Sequence, residues 1–372
     1  MTNTDLYIGL MSGTSLDGVD AVLVGFPDQR CVIRAHHHRD YPGDLRTLLA
    51  RVTRDPGVAT LPELAALDVR IAEEFAAAAQ HLLTGAATDR PSIRAIGSHG
   101  QTVFHAPDGP ARTSIQLGDP ALIAARTGLT VVGDFRRGDV ALGGQGAPLV
   151  PAFHRYAFGV PAATRAVVNI GGIANVTLLN PSAPLIAFDT GPGNTLLDAW
   201  CAEHTGSAFD TQGKFAASGR VQDELLALLL ADPYFGRLPP KSTGVDYFNP
   251  AWIRSRLGSG SKFRIAPEDM QATLAELTAA TISSTLTDAV AIAVCGGGAY
   301  NDDLLDRLRR RLPDCTVGTT TDWGILPELV EAAAFAWFAR ERLEGRPTNT
   351  PEVTGARAGL SMGGVYLPPE GT

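Results

Sequence analysis

The residues best suited to chemistry are carboxylates and small polar side chains set in glycine-rich turns directly after apolar runs. The clearest is Ala187-Phe188-Asp189-Thr190-Gly191-Pro192-Gly193-Asn194. The run from Leu185 to Phe188 reads as a buried strand delivering Asp189 into a Gly-Pro-Gly turn, and a helix is predicted from about Asn194. This places a carboxylate at a strand's C-terminal end beside the positive end of a helix, where glycines admit a ligand and free N–H groups favour anions. Read alone, the Asp of such a turn is more often a turn cap. Other glycine turns of similar build, at Ser12–Gly18, Gly171-Gly172 and Gly296-Gly297-Gly298, weigh against that reading.

Ser12-Gly13-Thr14-Ser15-Leu16-Asp17-Gly18 lies between predicted strands Asp5–Met11 and Val19–Phe26. Its N–H groups and hydroxyls suit a phosphate, with Asp17 or Asp20 placed to hold a hydrated Mg²⁺; Asp-Gly is also a common hairpin turn. After a short strand, Ile93–Ile96, the loop Gly97-Ser98-His99-Gly100-Gln101-Thr102 suits recognition of hydroxyls and carboxylates, a satisfied loop histidine being the rival reading. After strand Thr130–Val132, the Gly-rich run Gly133-Asp134-Phe135-Arg136-Arg137-Gly138-Asp139 offers two acids and two planar guanidinium forks, a good sugar or carboxylate site. Glu328 and Glu331 open a predicted amphipathic helix, Pro327–Glu344, either as complements to its dipole or as site acids. His36, His37 and His38 alternate across a strand and do not share one ion easily, so they read as a polar strand end.

The elements that must position these residues follow a repeated plan. Strand, glycine hairpin, strand opens the chain and recurs from Arg165 through Gly171-Gly172 to Leu179. Two such halves facing each other clasp a nucleotide's phosphates from both sides. At 372 residues two domains are expected, with Pro148 and Pro151 marking a crossover between residues 1–150 and 151–372. Helices are predicted over Pro62–Leu83, from Pro120 with Asp119 as cap, over Pro267–Leu286, and from about Asn301. Pro239-Pro240-Lys241-Ser242-Thr243-Gly244 reads as a surface or cleft loop, and strand Val290–Cys295 running into the triple glycine suits a purine or ribose lying flat on backbone.

A net charge of −8 and a pI near 5.5 argue against a nucleic-acid partner. The basic cluster Arg307, Arg309, Arg310, Arg311 reads as a solvated helix face. Cys31, Cys201, Cys295 and Cys315 lack metal spacing and read as reduced thiols. With no signal-like amino terminus and no long apolar run, a cytoplasmic protein with no membrane partner is expected.

Taken together, Ile8-Gly9-Leu10-Met11-Ser12-Gly13-Thr14-Ser15-Leu16-Asp17-Gly18-Val19-Asp20, Ser98-His99-Gly100-Gln101-Thr102-Val103, Gly133-Asp134-Phe135-Arg136, Asn169-Ile170-Gly171-Gly172-Ile173-Ala174-Asn175, Phe188–Asn194, Cys295–Gly298 and Val353-Thr354-Gly355-Ala356 resemble the anhydro-N-acetylmuramic acid kinases of the actin/hexokinase/Hsp70 ATPase superfamily. The resemblance spans nearly the whole chain in family order. It implies an α/β, two-lobed actin-like (ribonuclease H-like) fold, each lobe a mixed five-stranded sheet flanked by helices, with a cleft between. It further implies ATP and Mg²⁺ as cofactors, an anhydro amino sugar as substrate, a homodimer, and a role in peptidoglycan recycling. Gly13 to Asp20 would form the first phosphate loop; Gly171, Gly172 and Asn175 the second; Gly296, Gly297 and Gly298 the adenosine contact. Asp189 would be the catalytic base and Glu331 a carboxylate on the substrate and water side. Ser98, His99, Gln101, Thr102, Asp134 and Arg136 would line the sugar, with Arg136 or a neighbour on its lactyl carboxylate. The family's Lys-Ser-Thr-Gly-Arg-Glu reads here Lys241-Ser242-Thr243-Gly244-Val245-Asp246. The alternatives are a levoglucosan-type anhydro-sugar kinase and a non-kinase ATPase of the actin or Hsp70 kind.

Overall fold

Two apolar hairpins organise the chain in the computed structural model, which describes residues 5–86, 92–257, 265–286 and 288–369. Strands β1 (Leu6–Met11) and β2 (Gly18–Gly25) pair antiparallel, and β3 (Val32–Asp40) extends them. β4 (Ile93–Ser98) lies parallel to β1 on its other side. A separate hairpin, β5 (Gln101–Ala106) with β6 (Thr113–Leu117), precedes β7 (Val131–Gly133), which pairs parallel with β4. In the second half, β8 (Arg165–Ile170), β9 (Ile173–Leu179) and β10 (Ile186–Pro192) are antiparallel neighbours, and β11 (Ala291–Cys295) and β12 (Thr316–Thr319) add parallel to β8.

The sheet orders are β3-β2-β1-β4-β7 and β10-β9-β8-β11-β12, with the same sequence of antiparallel and parallel pairings. This doubled α/β plan is the actin-like one. The first sheet differs from the expected five strands: β13 (Gly364–Tyr366), from the far end of the chain, pairs antiparallel with β7 as a sixth.

The chain divides into one unit of Met1–Ala157 with Leu329–Thr372 and a second of Phe158–Glu328. The boundary expected at residue 150 is close, but the last segment belongs with the first unit and not the second. The cause is the Val330–Leu343 helix. Ala332 to Ala339 are all buried, so it is apolar all round and not amphipathic as expected. It packs its backbone directly on β1 and β4: a Cβ added at Gly9 would lie 1.8 Å from the Ala332 carbonyl oxygen, and one at Gly97 1.9 Å from that of Phe335.

On the first sheet, the Leu61–Gly85 helix buries Leu67, Ile71, Phe75 and Leu82 beside Ile8, Leu10 and Leu23. It starts in a capping box in which Thr60 and Glu63 satisfy each other's backbone N–H. In the second unit, the Pro267–Ser283 and Asp302–Arg311 helices accompany its sheet. Arg307, expected in solvent, is 5% exposed and bonds Asp303 at 2.7 Å and Glu276 at 2.9 Å, while Arg311 also reaches Glu276. Among the described residues no helix is long and apolar enough to cross a membrane.

Gly97→Ala forces its methyl into a carbonyl, a clash only backbone movement relieves, and should cost about 3 kcal/mol or more in urea unfolding. Gly85→Ala, where nothing lies within 4 Å, should stay within about 0.5 kcal/mol of the parent.

Candidate active site

In the second unit, strand register gathers the expected residues at one edge. Asp189 of β10 is opposite Asn175 of β9, which is opposite Asn169 of β8, which is opposite Cys295 of β11. The Gly171-Gly172 turn and Gly296–Gly298 therefore leave the sheet at the same end as Asp189. The β10 register shifts between Asp189 and Gly191, an irregularity of the kind that re-aims side chains beside active sites.

Asp189 is clamped by the Pro239–Gly244 loop. Its N–H donates to the Lys241 carbonyl (3.2 Å), its Oδ2 accepts from the Thr243 N–H (3.0 Å), and its carbonyl accepts from the Tyr234 hydroxyl (2.8 Å). Lys241 Nζ sits 4.9 Å from the Tyr234 ring centre and bonds carbonyls, not the carboxylate. Burial pushes the Asp189 carboxyl up to about 6, the Thr243 amide opposing it. That value brings a general base closer to neutral pH, where proton acceptance is most effective.

The N–H groups expected free at the helix start are taken. Gly193, Asn194 and Thr195 donate to the Gly172, Gly171 and Gly172 carbonyls at 2.9, 2.8 and 3.1 Å. The β8–β9 turn itself docks there, close enough that a Cβ on Gly193 would lie 2.3 Å from the Gly171 oxygen. Beside Gly297 is a cavity of about 470 Å³, lined also by Asp198, Phe209, Gln212, Tyr300 and Asn301. The Tyr300 hydroxyl bonds Glu328, which fixes the ring.

In the first unit, Gly13 to Asp20 forms the β1–β2 turn and the start of β2, with Leu16 at φ 55°. Thr14 and Ser15 are exposed, Val19 is buried in the core, and a Cβ on Gly18 would lie 2.2 Å from the Arg39 carbonyl oxygen. Asp17 accepts from Ser15 Oγ (2.6 Å) and the Gly18 N–H (3.0 Å); Asp20 lies 2.7 Å from His38 Nδ1. The expected loop after β4 shrinks to His99-Gly100, because Gln101 and Thr102 start β5. Gln101, 1% exposed, accepts from Ser12 Oγ (2.7 Å) and donates to the Gly13 carbonyl (3.1 Å), so it holds the start of the β1–β2 turn. Thr102 Oγ1 accepts from Gln116, and Ser98 is buried in a small recess with Asp134 and Tyr366.

The expected Gly-rich loop after β7 is instead a helix, Phe135–Ala141, following Asp134 in left-handed conformation. Asp134 accepts from Arg137 Nε (2.7 Å). Arg136 donates to His99 Nε2 from Nε (3.1 Å) and Nη2 (2.9 Å), and from Nη1 to the Gly146 carbonyl (2.8 Å). Burial lowers His99 to about 3, so it is a neutral acceptor, and lowers Arg136 only to about 10, so it stays charged. Three of five guanidinium donors are thus used on neutral partners. Glu331, on the first turn of the Val330–Leu343 helix, feels the charges of Arg136 and Asp20; burial raises its carboxyl and Arg136 opposes this.

The chain matches the anhydro-N-acetylmuramic acid kinase family over residues 5–368. It belongs to that family. Curated relatives of that description include those of Vibrio vulnificus (strain CMCP6), 47% identical over 98% of this chain and 99% of that one, and Chromohalobacter salexigens, 48% identical over 97% and 99%. Among solved structures, a ROK family glucokinase from Streptomyces griseus in complex with glucose and AMPPNP aligns over 90% of this chain and 99% of its own, at 16% identity and a TM-score of 0.40.

Of the residues that the structure brings to Asp189 or to the cavity beside Gly297, sequence reasoning did not single out Tyr234, Asp198, Phe209 and Tyr300. Tyr234 lies 45 positions from Asp189, and only the folded loop reveals its bond. A signal for Asp198 existed: it falls one helical turn after Asn194, on the same face.

A base of raised pKa must be ionised to act, so kcat/KM should rise with pH through about 6 and level off above, falling as pH drops through 6. A limb near 4 would place the Asp189 carboxyl in an ordinary environment. Because the folded value lies above the unfolded one, this group's contribution to stability is full below about 4 and lost as pH rises through 6. Asp189→Asn should therefore keep or raise Tm at pH 8, checked by calorimetry.

Proposed function

We propose that this chain is an ATP-dependent kinase that hydrolytically opens 1,6-anhydro-N-acetylmuramic acid and phosphorylates O6, giving N-acetylmuramic acid 6-phosphate and ADP. Family membership supports the reaction class. The observation that supports the mechanism is Asp189, a residue whose carboxyl is raised by burial and accepts from the Thr243 N–H, whose backbone is held by Lys241 and the Tyr234 hydroxyl, and which shares a sheet edge with the glycine turns.

Asp189 accepts a proton from water as that water attacks the anomeric carbon opposite the bridging oxygen. The C1–O6 bond breaks, its electron pair stays on O6, and O6 takes the γ-phosphoryl group of ATP as ADP leaves. The proton on Asp189 passes to solvent. No separate acid is needed, because the phosphoryl group captures the leaving oxygen. The Thr243 amide occupies Oδ2 and leaves Oδ1 for water. Glu331 orients the substrate side, and Arg136 offers its two unused N–H groups to the lactyl carboxylate.

Asp17 and Asp20 supply at most two carboxylates, a donor set that fits a Mg²⁺ retaining most of its water and shared with phosphates. When bound, that ion neutralises charge on the β- and γ-phosphoryl oxygens. Gln101 holds Ser12 and Gly13, at the start of the turn that carries Asp17.

ADP release should depend strictly on the anhydro sugar, and Asp189→Asn should abolish it while ADP still binds in calorimetry. Sugar-independent ADP release would favour the non-kinase ATPase reading; an active Asn variant would remove Asp189 from its role. A neutral anhydro sugar without the lactyl carboxylate should bind about tenfold more weakly or worse; equal binding would reject the Arg136 contact and favour a levoglucosan-type substrate.

A further inference from the structure

The cavity beside Gly297 contains a carboxylate that the reaction does not use. Asp198 lines it together with Asp210, yet the two acids differ in what holds them. Asp210 accepts from the Phe215 and Ala216 N–H groups at 2.8 and 2.9 Å and from Gln271 Nε2 at 3.3 Å. Among the described residues, no donor or cation meets Asp198; burial and the charge of Asp210 both act against its ionisation, raising its carboxyl to about 6. A half-buried carboxylate with a like charge beside it and no donor is costly, and a ligand bringing hydroxyl donors relieves that cost.

The position of Asp198 says which part of a nucleotide would meet it. The helix start at Asn194 receives the second phosphate turn, and Asn194 Nδ2 also donates to the Ile170 carbonyl (3.1 Å) and borders Gly297. Asp198 follows one turn along the same face, ~6 Å further at 1.5 Å per residue. Phosphate turn, Asp198 and cavity thus follow one another as phosphates, ribose and base do. Phe209 and Tyr300, 59% and 54% exposed, supply aromatic surface to the cavity for the base.

We propose that Asp198 is the ribose-recognising residue of this site, its carboxylate accepting hydrogen bonds from the sugar hydroxyls of the nucleoside in the cavity. This rests on the kinase reading above. The test is calorimetric binding of ADP, 2′,3′-dideoxy-ADP and IDP to the full chain and to Asp198→Asn. The parent should bind ADP about tenfold or more tighter than the dideoxy nucleotide, the scale of a charge-assisted hydrogen bond. In Asp198→Asn that gap should close to within about threefold, with the ADP-to-IDP ratio unchanged and Tm retained. An unchanged ribose gap in the variant overturns the assignment and leaves the kinase reading standing. Loss of base discrimination in place of ribose discrimination overturns it too. A parent that binds no ADP overturns both.

Discussion

The first unit depends on a helix lying backbone-to-backbone on a sheet. Only glycine at positions 9 and 97 lets the Ala332 and Phe335 carbonyls approach β1 and β4 so closely, and any side chain there would lift the helix away. That approach ties a segment more than 300 residues downstream of β1 to the first sheet. It also brings Glu331 under the influence of Arg136 and Asp20 and sets the Phe335 ring 4.7 Å from that of His99. His99, kept neutral, in turn holds Arg136. The charges of Arg136, Glu331 and Asp20 are thus arranged through the packing of one apolar helix.

The second unit solves a similar problem with different means. Its β8–β9 turn is pressed onto a helix start, so carbonyls, not a ligand, satisfy the first amides. Its acids, Asp189 and Asp198, are left without cations, and burial raises both. An unneutralised carboxylate is expensive for stability and useful for chemistry: in the proposed roles one would accept a proton near neutral pH and the other would accept from neutral hydroxyls. Arg136 in the first unit is the converse, a charged donor that hydrogen-bonds neutral His99 and the Gly146 carbonyl, with the Glu331 charge acting on it.

Much of this was legible in the sequence because it resides in local pattern. The apolar runs ahead of Ser12, Gly171, Asp189 and Gly296 gave strands, and the repeated hairpin foreshadowed two sheets with one strand plan. What was illegible depended on distant partners. The Gly-rich run after β7 forms a helix because Phe135 and Val140 are buried, which short-range composition does not disclose. Arg307 is interior because Glu276, far along the chain, faces it. The C-terminal segment belongs with the first unit because it seats on Gly9 and Gly97, which nothing local in the sequence marks.

In the proposed reaction one carboxylate activates water against the anomeric carbon while the freed oxygen is phosphorylated. Turnover in ¹⁸O-water with mass spectrometry of the product, read before the anomeric oxygen exchanges spontaneously, tests it most directly. One ¹⁸O per sugar, at the anomeric position and absent from the phosphoryl group and its bridging oxygen, is the predicted result. Label in the phosphate, or an unlabelled phosphorylated sugar that still carries its anhydro bridge, would contradict it.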